Sequence, residues 1–152
     1  MVIQHMGWTA SMKDTGQTLP FGILLLRLLV GGLFIAHLYR KFAITGFETW
    51  WDGLSQAGYP WWVLAYTVSG EIAGAVLITI GIHARLASLY AAPLMVGATV
   101  HWFNRKGFFF TDAGYELPLV WTILLLAQAL LGDGACSGSS LIRRMQNAAA
   151  DR

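Results

Sequence analysis

The sequence predicts an all-α integral membrane protein: a bundle of four transmembrane helices with a short interfacial amphipathic helix between the first and second. Three observations carry that expectation. The 152 residues are 56% hydrophobic and only 12% charged, whereas soluble domains carry about 25% charged residues. Long apolar segments recur along the chain, each near the ~20 residues that cross ~30 Å of hydrocarbon. Between them lie loops rich in tryptophan and phenylalanine, as at a membrane–water interface.

In chain order, residues 1–18 form a polar tail with one lysine, Lys13. It lacks the charged start and small-residue cleavage site of a signal peptide, so the first apolar segment is expected to be retained. That segment is the first span, about Leu19–Tyr39. In the loop that follows, Phe47, Trp50, Trp51 and Leu54 fall at i, i+3, i+4 and i+7, with Glu48, Asp52 and Gln56 elsewhere on the turn. This is the pattern of the interfacial helix. Pro60 opens the second span, Trp61–Gly81, and "GIHAR" (81–85) leaves room only for a tight turn with Gly81 as its cap. The third span, Leu86–Phe103, is therefore antiparallel to the second. Pro118 opens the fourth, Leu117–Leu131, which is short unless Tyr115 and Glu116 extend it. Residues 19–139 are read as the membrane domain and 140–152 as a basic cytoplasmic tail.

Several function classes fall away. A formal charge of +2 without a basic stripe gives no handle for nucleic acid. The single cysteine, Cys136, excludes an internal disulfide or a CxxC pair, and with them thiol–disulfide chemistry within the chain. HExxH, P-loop and GxGxxG patterns are absent, and no metal site is expected.

The face bearing the long loops collects Trp50, Trp51, Trp61, Trp62, Trp102 and the run Phe108–Phe110. These aromatics form either a belt at the interface or a roof over a pocket between helices. The same face carries an internal echo. "HLYRKF" then "GFE" is answered by "HWFNRKGF" then "GYE", which suits either a parallel repeat or coincidence. Lys13, Arg85, Arg143, Arg144 and Arg152 stand against Arg40, Lys41, Arg105 and Lys106 on the other face. By the positive-inside rule, at five charges to four, both termini are expected in the cytoplasm; the expected membrane is the cell's inner (plasma) membrane.

Two charges lie deep in the spans, Arg27 and Glu71. Counting ~1.5 Å per residue from the span ends puts them ~10 Å and ~15 Å from the terminal face. An unpaired ion there is costly, so the two are expected to pair, with Gly70 and Gly74 of "GEIAG" admitting the neighbouring helix. The pair would either fix helix register or serve a proton or ligand. Nearer the aromatic face are His37, Lys41, His101 and Glu116. Arg27, Phe34 and Lys41 share one stripe of the first span, while His37 lies about 80° from it. Histidine, lysine and glutamate beside aromatics suit a quinone head, which offers two carbonyls to hold and two protons to move. The candidate catalytic residues are therefore Glu71, His101 and Glu116, and the candidate cofactor-binding residues Arg27, Lys41, His37 and His101. Haem between His37 and His101 is disfavoured, because Phe34 and Trp102 leave no small-residue cavity.

The stretches "LLLRLLVGGLFIAHLYRKF", "SGEIAGAVLITIGIHARLAS", "GYELPL" and "LLGDGACS" resemble the DoxX family of small four-helix membrane proteins. Family positions match Arg27, Gly31, Phe34, Lys41, Glu71, Gly74, Gly81, Arg85 and Glu116. The ending departs: Asp133 stands where the family often has proline, and Ser139 where it has aspartate. The resemblance implies a membrane subunit of a quinone-linked oxidoreductase, acting on thiosulfate or in related sulfur or oxidative-stress chemistry. It equally admits a non-catalytic scaffold or assembly factor for a partner protein. The chain supplies no redox centre of its own, so electrons would require a bound quinone and a partner redox protein, with a homo-oligomer as another possible assembly.

Overall fold

The computed structural model describes residues 6–151, with side chains from Thr18 to Asp151; the side chain of Lys13 lies outside the described residues. The described chain is helical and has no strand. Helix α1 spans Met6–Tyr39 and runs on into a π-helical segment, Arg40–Thr45. Then come α2 (Phe47–Gln56), α3 (Trp61–Ala73) with a second π segment, Gly74–Ile78, and α4 (Ala84–Phe103). A 3-10 turn at Phe110–Asp112 leads to α5 (Glu116–Leu131), and α6 covers Gly138–Ala150.

Local chemistry explains most boundaries. Pro60, extended at φ −69 and ψ 149, precedes the first residue of α3. Gly81, at φ +76, ends the following segment, with its N–H and that of Ile82 both donating to the Leu77 carbonyl. The expected short amphipathic helix is α2. Helix α1 begins earlier than its apolar stretch and accommodates Pro20 within it, at the loss of one ladder hydrogen bond. The echoed Gly-aromatic-Glu motifs have a common local role: Gly46-Phe47-Glu48 and Gly114-Tyr115-Glu116 each place a carboxylate in the first turn of a helix, against its positive end.

Among the described residues, three segments are long and apolar enough to cross a membrane: Thr18–Thr45, Trp61–Ile78 and Ala84–Phe103. Glu116–Leu131 is apolar but shorter, at 16 residues. It packs closely along α4, where Ala84, Ala87, Ser88, Ala91 and Ala92 form a buried stripe of small residues. Small side chains let the backbones approach, so dispersion contacts accumulate along both helices. Phe34, Ile78, Met95, Trp121 and Leu125 fill the centre, while leucines such as Leu25, Leu28 and Leu126 point outward. An apolar exterior around a small-residue interior is the arrangement that hydrocarbon solvent favours. Thr67, Thr99 and Thr122 turn their hydroxyls back onto carbonyls one turn earlier, so none presents an unbonded donor to that solvent.

Helix α1 lies antiparallel to α3 and its π extension through contacts that glycine makes possible. A Cβ on Gly31 would strike the Thr79 side chain, one on Gly74 the Phe34 ring, and one on Gly81 the Arg27 guanidinium. These contacts set the register of Arg27 on α1 and of Lys41 in the π segment that continues it.

Candidate functional site

That register overturns the expected Arg27–Glu71 pair. Glu71 instead accepts from Lys41, Nζ to Oε2 at 2.5 Å, and both side chains are buried. Arg27 lies at the level of Gly81 and donates to two backbone carbonyls, Asp133 at 2.6 Å and Cys136 at 2.7 Å. The count of depths took Leu19 as the membrane edge. Because Arg27 is level with Gly81, Glu71 stands about ten residues, or roughly 15 Å of helix, away from it.

The Lys41–Glu71 pair is framed by irregular helix. Lys41 is the second residue of the first π segment, and Glu71 lies three residues before the second. Wide helical turns of this kind are frequent at functional sites. Above the pair, the Trp50 ring of α2 covers the Lys41 ammonium at 4.2 Å from its centroid. A desolvated cation–π contact of this type contributes roughly 0.5–2 kcal/mol. Phe47 anchors α2 by stacking on Phe42 of the π segment, ring centroids 5.1 Å apart. The aromatics thus divide their labour. Trp50 roofs a buried charge, whereas Trp61 and Trp62 are 71% and 60% exposed and have the character of a belt.

His37 meets the edge of Trp121 at 4.8 Å between centroids, and Trp121 also packs on Phe34. The Trp121 indole Nε1–H is buried and has no hydrogen-bond partner among the described residues. A buried orphan donor is rare, and in an apolar surround it costs free energy until an acceptor arrives. His101 belongs to a different group, hydrogen-bonded to the Tyr59 hydroxyl and receiving Arg105 Nη1 at 3.1 Å. Glu116 accepts from the Phe110 N–H at 3.1 Å and so closes the loop before α5. The candidate residues therefore form three groups: Lys41 with Glu71, His37 with Trp121, and His101 with Tyr59; Glu116 and Arg27 each hold a loop.

Sequence reasoning passed over Trp121, whose only signal was an indole inside an otherwise aliphatic span. For residues 132–140 it noted the departures at Asp133 and Ser139 but assigned them no role. There Asp133 Oδ1 accepts from the Ala84 N–H at 2.6 Å, capping α4, and Gln128 Nε2 donates to the Gly132 carbonyl at 2.6 Å. Ser137 caps α6 through the Ser140 N–H at 3.2 Å, and the Ser139 N–H reaches the Gly81 carbonyl. The segment is a receptor for Arg27 and a clasp on the α3–α4 turn.

A helical protein with three membrane-length apolar segments and an ion pair buried between two of them is a small integral membrane protein. The chain belongs to the DoxX family, whose model matches residues 22–105, more than half its length. The matched stretch contains Arg27, His37, Lys41, Glu71 and His101, while Glu116, Trp121 and the Arg27 acceptors lie beyond it. No curated protein and no solved structure matches the chain.

Proposed function

We propose that this chain is a four-helix bundle of the inner (plasma) membrane with cytoplasmic termini and α2 in the interface. In this reading it serves as the membrane subunit of a quinone-linked oxidoreductase of sulfur or oxidative-stress chemistry, including thiosulfate:quinone reduction. The observation that carries the reading is the buried Lys41–Glu71 pair beneath Trp50.

The donors present suit a quinone head. The unpartnered Trp121 N–H beside His37 wants a carbonyl acceptor, and a quinone presents two. When bound, the quinone supplies the two-electron acceptor, with electrons arriving from a partner redox subunit. Lys41 would donate to one carbonyl and Trp121 to the other, His37 would orient the ring, and Glu71 would hold and release a proton. His101, half-buried on Tyr59 and Arg105, would exchange protons with water at that face, and Glu116 keeps the adjoining loop closed.

One observation favours the rival class, a scaffold or assembly factor for a partner protein. Lys41 and Glu71 satisfy each other, and Phe34 packs tightly on Gly74 in the same seam, so the pair already has a structural role. Trp121→Phe separates the two readings, because it removes the orphan donor and retains the ring. The quinone reading expects quinone to co-purify in mild detergent and to be lost from Trp121→Phe and His101→Ala while helicity survives. A scaffold retains its protein partner in both variants. Folded protein with its partner present and no measurable quinone affinity would refute the proposal.

A further inference from the structure

Where α4 begins, α5 ends and α6 departs, an open groove of about 500 Å³ is lined by His83, Arg85, Asp133, Arg143, Leu86 and Leu131, with Gly132 and Gly134 as its floor. His83, Arg85 and Arg143 share that lining with a single carboxylate, Asp133. That carboxylate already accepts from the Ala84 N–H, and the buried Arg27 guanidinium is bound to the Asp133 carbonyl behind it. Arg85 is held in place by donation from Nη2 to the Leu130 carbonyl at 3.1 Å, beside Gly132, where a Cβ would come within 3.4 Å of the guanidinium. The remaining N–H donors of that planar fork suit an oxyanion.

The other wall is apolar. Leu86 is 63% and Leu131 44% exposed, and they continue into the exposed Leu89 and Leu130 on the outer surfaces of α4 and α5. Helix α6 borders the groove with Arg143 and shows Leu141, Ile142 and Met145 on its surface. A basic rim adjoining an apolar wall, at the end of membrane-length α4 and the shorter apolar α5, is complementary to an amphiphile with a negative head.

We propose that this groove holds a phosphate group, carried by an anionic phospholipid whose chains lie along Leu86 and Leu131. The site is independent of the quinone reading, since it shares no residue with it.

The test uses the full chain in detergent, with bound lipid counted by native mass spectrometry. Phosphatidylglycerol should be retained at least about fivefold over phosphatidylcholine, the factor that one well-placed arginine supplies. Arg143→Gln should lower that retention about fivefold without changing the melting temperature, because Arg143 is exposed and its backbone lies beyond the clasp. Arg40→Gln, an exposed arginine at the far end of α1's apolar stretch, should leave it unchanged. Competition by inorganic phosphate would assign the affinity to the phosphate alone. Resistance to that competition would assign it to head and chains together and support the proposal, whereas full competition would overturn the lipid assignment. Equal retention of the two lipids, or equal losses from Arg143→Gln and Arg40→Gln, would overturn it.

Discussion

Phe34 lays its ring where Gly74 has no side chain, so that α1 and the π extension of α3 meet without an intervening Cβ. Gly74→Ala drives a methyl into an aromatic ring buried on every side, and overpacking of this kind costs roughly 1–3 kcal/mol. Gly97→Ala, in α4 with nothing near its Cβ position, should instead be neutral or stabilising by up to about 1 kcal/mol. Thermal unfolding of the two variants in the same detergent checks the contrast, and similar melting temperatures would contradict the close approach.

Lys41 and Glu71 should couple. Either Lys41→Met or Glu71→Gln leaves one buried ion without its partner, an expected loss of roughly 3–5 kcal/mol where the site is dry. The double variant should lose less than the sum of the singles, by more than about 0.5 kcal/mol. An Arg27→Met/Glu71→Gln cycle should be additive, since those two side chains bind different partners. Coupling in the second cycle and not the first would restore the pairing expected from sequence.

Arg27 bridges two carbonyls with a planar fork, and lysine cannot span both in that geometry. Arg27→Lys should therefore raise backbone amide exchange across residues 132–140, read by mass spectrometry, while exchange around Lys41 and Glu71 remains slow. Uniform protection throughout would mean that the arginine does not hold the clasp.

Asp133 acts through two different atoms. Asp133→Ala keeps the carbonyl that receives Arg27 but removes the carboxylate that caps α4, so a loss of about 0.5–2 kcal/mol is expected. Asp133→Asn retains an acceptor and should recover most of it. The ranking of the three melting temperatures decides the matter.

Much of this fold was legible from sequence because its punctuation is local. Pro60 fixes its own φ, and Gly81 freely adopts the positive φ that ends a helix, so the ends of α3 and its extension follow without tertiary information. That Glu71 is buried and needs a cation followed from the apolar run around it. The choice of cation did not, because register depends on Gly31 meeting Thr79 and Gly74 meeting Phe34, contacts between residues far apart in sequence. Arg27's acceptors were hidden for a different reason: they are backbone carbonyls, and a carbonyl has no residue type. Helix α6 left a weak trace. Its capping box uses Ser137 and Ser140 in place of the usual acidic partner, so the stretch read as a basic tail.

The clasp that receives Arg27 has a consequence for biogenesis. The two carbonyls that satisfy this arginine are 106 and 109 residues downstream, whereas Lys41 finds Glu71 after only 30. A ribosome delivering the chain from its N-terminus completes the Lys41–Glu71 bond once the first helical pair has emerged. Arg27 must wait until residues 133–136 have been made. A chain cut short before residue 133 would carry an unsatisfied guanidinium and an unclasped α3–α4 turn. Arg27 thus ties the satisfaction of its own charge to the arrival of a distant stretch of backbone.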